Sequence, residues 1–244
     1  TGLGATISAW WILVANAWMQ YPVGCEFNPD TMRNEMVSFA EVALSPFAIS
    51  KFCHTVTSSW IIGGIFCVGV CCWYLMKKRH TRLAVESMKI GAGVGLVAAL
   101  LAGATGHKSG MDVAEVQPMK LAAMEALYDG GTEQGLKLIE GIEVPYGLSI
   151  MATNDPKGYV PGINDLLNGY TTPDGKTEPS ADEKIARGKK AIEALAAYRK
   201  AKAEGAPDST INYQLSIINS NMKYFGHGYV KDKADLVPPV LVNF

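Results

Sequence analysis

The stretch FCHTVTSSWIIGGIFCVGVCCWYLMKKRH, residues 52–80, decides the fold class. From Thr55 to Met76 it runs for 22 residues without a charged side chain. At about 1.5 Å per helical residue that length crosses a hydrocarbon core of about 30 Å. One histidine, His54, stands at its mouth, and Lys77, Lys78, Arg79 and Arg82 close it.

Two further apolar segments flank this run. Residues 1–25 are uncharged and contain SAWWILVANAWM, whose indoles suit a membrane interface, and Ile90 to Gly106 is a shorter span rich in glycine and alanine. The expectation is three transmembrane helices, over 1–20, 51–76 and 90–106. The chain starts on Thr1 inside an apolar segment with no charged leader and ends on VPPVLVNF, which reads as the opening of another apolar run. An internal piece of a longer protein, its first helix truncated, is therefore expected.

Charge divides the chain. Residues 1–106 hold 12 of the 45 Asp, Glu, Lys and Arg side chains and residues 107–244 hold 33, so the first half addresses lipid and the second water. A net charge of -1 gives no electrostatic ground for a nucleic-acid partner. Residues 77–89 carry Lys77, Lys78, Arg79, Arg82 and Lys89, against only Arg33 and Lys51 in residues 26–51. The positive-inside bias makes 77–89 a cytoplasmic loop. The loop 21–50 and the region 107–240 then lie on the extracytoplasmic side of a multi-pass cytoplasmic-membrane protein, with His54 near the outer face.

The polar half reads as mostly helical. Pro118 opens a helix that Asp129-Gly130-Gly131 ends near Tyr128. Residues 142–151 form an apolar patch split by Pro145, and 171–183 is turn and linker material. A lysine-rich amphipathic helix over 183–204 follows, then a second helix capped by Asp208 or Ser209. The second helix carries Ile211, Leu215, Ile218, Met222 and Phe225 on one stripe, with Gly226 to stop it. The two make a helical hairpin, and the fold class is all-α: a membrane helical bundle bearing a mostly helical loop region.

Several side chains invite chemistry. An ionisable group at the head of a spanning helix needs pairing, water or a ligand, so His54 either reaches headgroups or coordinates haem iron through a neutral ring nitrogen. Lys120 and Glu125, five apart, lie about 140° around a helix axis and do not form the usual four-apart ion pair. They are ordinary solvated charges, or a donor and a proton acceptor for a two-electron redox headgroup. Gly91, Gly95, Ala99 and Gly103 form a small-residue series suited to close helix packing. The five cysteines lack a zinc or disulfide spacing and read as small apolar packers, a Cys25–Cys53 bridge being conceivable from topology alone. Met32, Met36 and Met88 read as flexible packers, His80 as part of the basic cluster, and His107 and His227 as loop residues.

Five ordered blocks then fall into one pattern: SAWWILVANAWMQYPVG (8–24), TMRNEMVSFAEV (31–42), KFCHTV (51–56), EVQPMKLAAMEALY (115–128) and IEVPYGLSIMAT (142–153). Together they resemble consecutive parts of subunit I of the bacterial cytochrome bd quinol oxidases, densely over residues 4–60 and 109–153 and thinly over 154–234. The resemblance implies that His54 is the axial ligand of a low-spin haem b and that Lys120 and Glu125 bind and oxidise quinol. More weakly, it places Asn16 near the haems and Ser8 along a proton path. It implies ubiquinol or menaquinol and dioxygen as substrates, a second membrane subunit as partner, and a high-spin haem b and a haem d whose ligands lie in other segments. GHKSG at 106–110 departs from relatives, which often carry acidic residues there. A non-enzymic membrane transporter or scaffold would explain the spans, the basic loop and the hairpin equally well, but leaves the five blocks to chance and predicts no haem.

Overall fold

The computed structural model describes residues 2–139 and 141–238. The expected apolar opening at 237–244 falls beyond them except for its first two positions. The chain forms two units, Thr1–Glu26 with Met36–Asp112, and Phe27–Glu35 with Val113–Phe244.

The first unit is built from α1 (Gly2–Gln20), α2 (Phe39–Ala43), α3 (Pro46–Met76) and α4 (Thr81–Val116), whose last turn passes into the second unit. The α3 helix begins five residues before the expected bound at 51. Ser45 accepts a hydrogen bond from the Ala48 N–H at 3.1 Å and Pro46 occupies the first turn, a start signal stronger than the uncharged run itself. Likewise α4 begins inside the basic segment and continues ten residues past Gly106, because nothing interrupts it before Gln117-Pro118. His107, expected in a loop, therefore lies on α4.

Val14 and Ala17 of α1, Val42 of α2, and Phe47 and Ala48 of α3 bury one another, with Trp10 and Trp18 packed against them. Trp10 also meets Phe52 edge-on at 5.0 Å. Beyond this core the segments Phe39–Met76 and Thr81–Val116 are each long and apolar enough to cross a membrane, with only 11% of the apolar window buried in either. Side chains such as Ile62, Phe66 and Leu100, each at least 70% exposed, turn outward as lipid-facing residues do.

Where α3 meets α4, a Cβ on Gly64 would lie 2.7 Å from the Gly91 carbonyl oxygen, so the two backbones meet with no side chain between them. The small-residue series is only partly used: Gly91 and Gly95 face Gly64, whereas Ala99 is exposed and Gly103 opens onto space. The buried positions of α4 are Ala84, Gly91 and Ala98, seven apart. Two helices in extended contact follow a period near 3.5 rather than a strict four.

The second unit is mostly helical with short two-stranded ladders. Its elements are most of the pair β1 (Cys25–Asn28) and β2 (Arg33–Met36), whose Cys25, Glu26 and Met36 belong to the first unit, then α5 (Pro118–Met124), β3 (Leu136–Ile139) paired with β4 (Ile142–Val144), α6 (Gly147–Thr153), α7 (Ile163–Asn168), β5 (Tyr170–Thr171) paired with β6 (Thr177–Glu178), α8 (Ala181–Ala203) and α9 (Asp208–Asn221). The expected hairpin is α8 with α9, closed by Ala194, Leu195, Tyr198 and Ile218, with Ile211, Leu215, Met222 and Phe225 against them.

Three details of this half differ from expectation. Pro207, not Asp208 or Ser209, occupies the cap of α9, leaving Asp208 in the first turn. Gly226 does not stop the helix, for the chain tightens into a 3-10 helix over Met222–Tyr229. Gly188 of α8 is the reason: a Cβ there would sit 2.3 Å from the Tyr224 carbonyl oxygen and the Gly228 nitrogen, and its absence lets this backbone lie on α8. The 171–183 segment, read as linker, carries the β5–β6 hairpin and enters α8 at a fully buried Ala181.

Candidate functional site

His54 stands on α3, eight residues after its start, half-buried. Its Nδ1 lies 3.2 Å from the Thr105 hydroxyl of α4, and among the described residues Nε2 makes no hydrogen bond. A Cβ at Gly106 would be 3.2 Å from His54 Cε1, so the ring rests against a stretch of α4 without a side chain. Thr57 and Ser58 donate to the His54 carbonyl at 3.0 and 2.8 Å and leave the ring untouched.

One turn before His54, Lys51 donates to Asn16 Oδ1 at 3.2 Å and to Gln20 Oε1 at 2.8 Å, and Gln20 donates to the same Asn16 oxygen at 2.9 Å. Asn16 thus belongs to a polar knot that pins α1 to the turn carrying His54. Ser8 is exposed on α1 and makes no side-chain hydrogen bond among the described residues. The five cysteines are free thiols, so Cys25 and Cys53 form no bridge.

Among the described residues, Lys120 and Glu125 line different cavities. The α5 helix ends at Met124, four residues before the expected stop at Tyr128. There the Glu125 N–H bonds to the Leu121 carbonyl at 3.0 Å, Ala126 turns left-handed at φ 48°, and the Leu127 N–H returns to the Ala122 carbonyl at 2.8 Å. Glu125 is therefore the residue that closes the helix. It lines a pocket of about 240 Å³ with Tyr128, Gln134, Lys137 and Glu143, and burial holds its carboxyl above the ordinary glutamate range.

Lys120 opens instead into a cavity of about 670 Å³ with mainly apolar walls from Val116, Pro118, Met119, Leu166 and Tyr224. Lys184, Lys223 and His227 face the same space. Burial first, and the Lys184 charge second, push His227 below the ordinary histidine range and keep it neutral near pH 7. A cavity of this size with apolar walls and a few convergent polar groups suits an aromatic ring carrying oxygen substituents.

The turn after Glu125 is held by a residue the sequence does not advertise. Asp165 of α7 accepts from the Gly130 N–H at 2.8 Å, the Gly162 N–H at 2.9 Å and the Tyr159 hydroxyl at 3.1 Å. Backbone bonds from Ile163 to Leu127 and from Asn164 to Tyr128 run alongside. Tyr159 is pushed up to about 12, chiefly by burial and then by the Asp165 carboxylate. In the apolar block 142–153, Ser149 is fully buried, accepting from the Gln134 N–H and donating to the Gly158 carbonyl, each at 2.9 Å.

Comparison with known proteins identifies the pattern. The cytochrome bd terminal oxidase subunit I family model matches residues 1–244. Cytochrome bd-II ubiquinol oxidase subunit 1 of Escherichia coli (strain K12) is 37% identical over 176 residues, 67% of this chain and 34% of that protein. Cytochrome bd ubiquinol oxidase subunit 1 of Bacillus subtilis (strain 168) is 33% identical over 185 residues, 71% of this chain and 39% of that protein. The chain thus spans a little over a third of the length of these relatives. A solved bd oxidase from Geobacillus thermodenitrificans shares the fold, with a TM-score of 0.58 at 21% identity over 96% of this chain and 56% of that one. With the match running along its whole length, the chain belongs to the cytochrome bd terminal oxidase subunit I family.

Proposed function

We propose that this chain supplies the quinol-oxidising side of a membrane quinol oxidase that reduces dioxygen to water. In this reading α1, α3 and α4 span the cytoplasmic membrane, Lys77 to Arg82 face the cytoplasm, and the region from 107 onward lies outside. A second membrane subunit completes the enzyme. The substrate is ubiquinol or menaquinol.

The observation that carries the reading is the pair of environments at α5: a lysine over a mainly apolar cavity, and a carboxyl whose proton affinity is raised by burial at the end of the same short helix. A quinol must surrender two protons as two electrons leave. Lys120 supplies a hydrogen-bond donor to a ring oxygen. Glu125, with a pKa moved toward working pH, accepts a proton. His227, held neutral, adds a second acceptor inside the Lys120 cavity.

His54 fits an axial haem ligand: an imidazole with one nitrogen engaged by α4 and the other unengaged among the described residues. Bound there, a low-spin haem b would supply one-electron redox chemistry between quinol and a high-spin haem b and haem d, at a potential set by its axial ligands. Asn16 and Lys51 fix the α3 turn that carries His54, and Ser8, on α1, is the position that the resemblance places along a proton path.

Oxygen uptake driven by quinol, compared with uptake driven by an artificial donor that reduces the haems directly, tests the reading. Lys120→Ala and Glu125→Gln should slow the first far more than the second. Equal loss with both donors would remove these residues from quinol oxidation.

A further inference from the structure

We propose that Thr105 is the positioning residue of His54: its hydroxyl, already committed to the α4 backbone, accepts the Nδ1 proton of the imidazole and thereby presents a bare Nε2 to iron. This rests on the reading of His54 as a haem ligand.

The direction of the hydrogen bond follows from counting protons. The Thr105 hydroxyl donates to the Leu101 carbonyl at 2.9 Å, with the Ala102 carbonyl a longer 3.3 Å away. A hydroxyl has one proton and two lone pairs, so with that proton spent on the helix its 3.2 Å contact with His54 Nδ1 requires the imidazole to donate. A neutral imidazole carries a single N–H. Placing it on Nδ1 leaves Nε2 with a free lone pair, the form that ligates a metal.

The surroundings restrict the ring further. Thr105 is β-branched and tied to its own helix, so its hydroxyl has little freedom to follow a wandering imidazole. Gly106 provides the flat surface on which the ring lies, since a Cβ there would crowd Cε1 at 3.2 Å. The contact also continues the seven-residue spacing of Ala84, Gly91 and Ala98, so the same helix interface that packs Gly64 delivers Thr105 to His54.

An acceptor on Nδ1–H makes the other nitrogen a stronger electron donor, which favours ferric over ferrous iron. Redox titration of the low-spin haem b in the holoenzyme, read from reduced-minus-oxidised visible spectra, tests the proposal. Thr105→Val and Thr105→Ala should keep the haem and raise its midpoint potential, whereas Thr105→Ser should hold the wild-type value. If valine and alanine cost the haem altogether while serine retains it, the hydroxyl is again what matters. An unchanged potential in the valine and alanine variants, or equal haem loss in all three, overturns the proposal. A low-spin signal that survives His54→Ala would instead overturn the assignment of His54 itself.

Discussion

Lys120 and Glu125, separated by five positions at α5, open into different cavities: Lys120 into the larger one beside Tyr224 and His227, Glu125 into the smaller one beside Tyr128 and Glu143. Their roles should therefore separate kinetically. Lys120→Ala should raise the KM for quinol about tenfold with kcat nearly held, the cost of one charged hydrogen bond at about 1.4 kcal/mol. Glu125→Gln should lower kcat by about 100-fold or more, as for a lost general base. The double variant should show the product of the two losses, since among the described residues the two groups line different cavities. Steady-state quinol oxidation measures all three.

The raised pKa of Glu125 fixes the sign of a pH effect. Burial favours its protonated form, and a base must be ionised, so quinol oxidation should rise with pH through a limb lying above the unperturbed value of 4.5. The stability contribution runs the other way. It is fully present below 4.5 and is lost as pH rises through the folded-state value. The pH profile of kcat reads the first, and Glu125→Gln should abolish that limb; a limb at ordinary glutamate values assigns the proton to another group.

Asp165 is the clamp on the turn that follows Glu125. Removing its three acceptor contacts by Asp165→Ala should cost about 1.5–3 kcal/mol, since two backbone N–H groups and the Tyr159 hydroxyl lose a charged partner. Asp165→Asn keeps an acceptor oxygen and should cost less. Thermal unfolding of the holoenzyme gives the order, and protease sensitivity across residues 126–131 should rise in the alanine variant first.

Gly64 and Gly63 are adjacent on α3 yet differ in what a methyl would meet. At Gly64 it would lie 2.7 Å from the Gly91 oxygen, and at Gly63 nothing stands within 4 Å. Gly64→Ala should destabilise the α3–α4 contact by about 1–3 kcal/mol and Gly63→Ala should be tolerated. Half-inactivation temperatures of the two variants in detergent provide the comparison.

How far these features were legible depends on the range of the interactions that make them. The uncharged run from Thr55 and the 4/3 stripe from Ile211 to Phe225 are local patterns, and α3 and the α8–α9 hairpin follow from them. The start of α3 and both bounds of α4 differ from expectation, while α3 ends at Met76 as expected, because hydropathy marks where lipid begins and Ser45-Pro46 and Gln117-Pro118 mark where a helix does. Gly226 looked like a stop signal because the reason for the 3-10 turn, Gly188, lies 38 positions away. The roles proposed for His54, Lys120 and Glu125 come from their blocks of neighbours, since spacing alone leaves each with an ordinary reading. Thr105 and Asp165 have no motif to mark them, because His54 stands 51 residues from the first and the Gly130 that the second clamps stands 35 residues away.

Whether His54 holds haem iron is read from a reduced-minus-oxidised visible spectrum of membranes carrying the holoenzyme with His54→Ala. The low-spin haem b band should disappear while the protein and its second subunit remain in the membrane. A low-spin band of wild-type position and amplitude in that variant would contradict it.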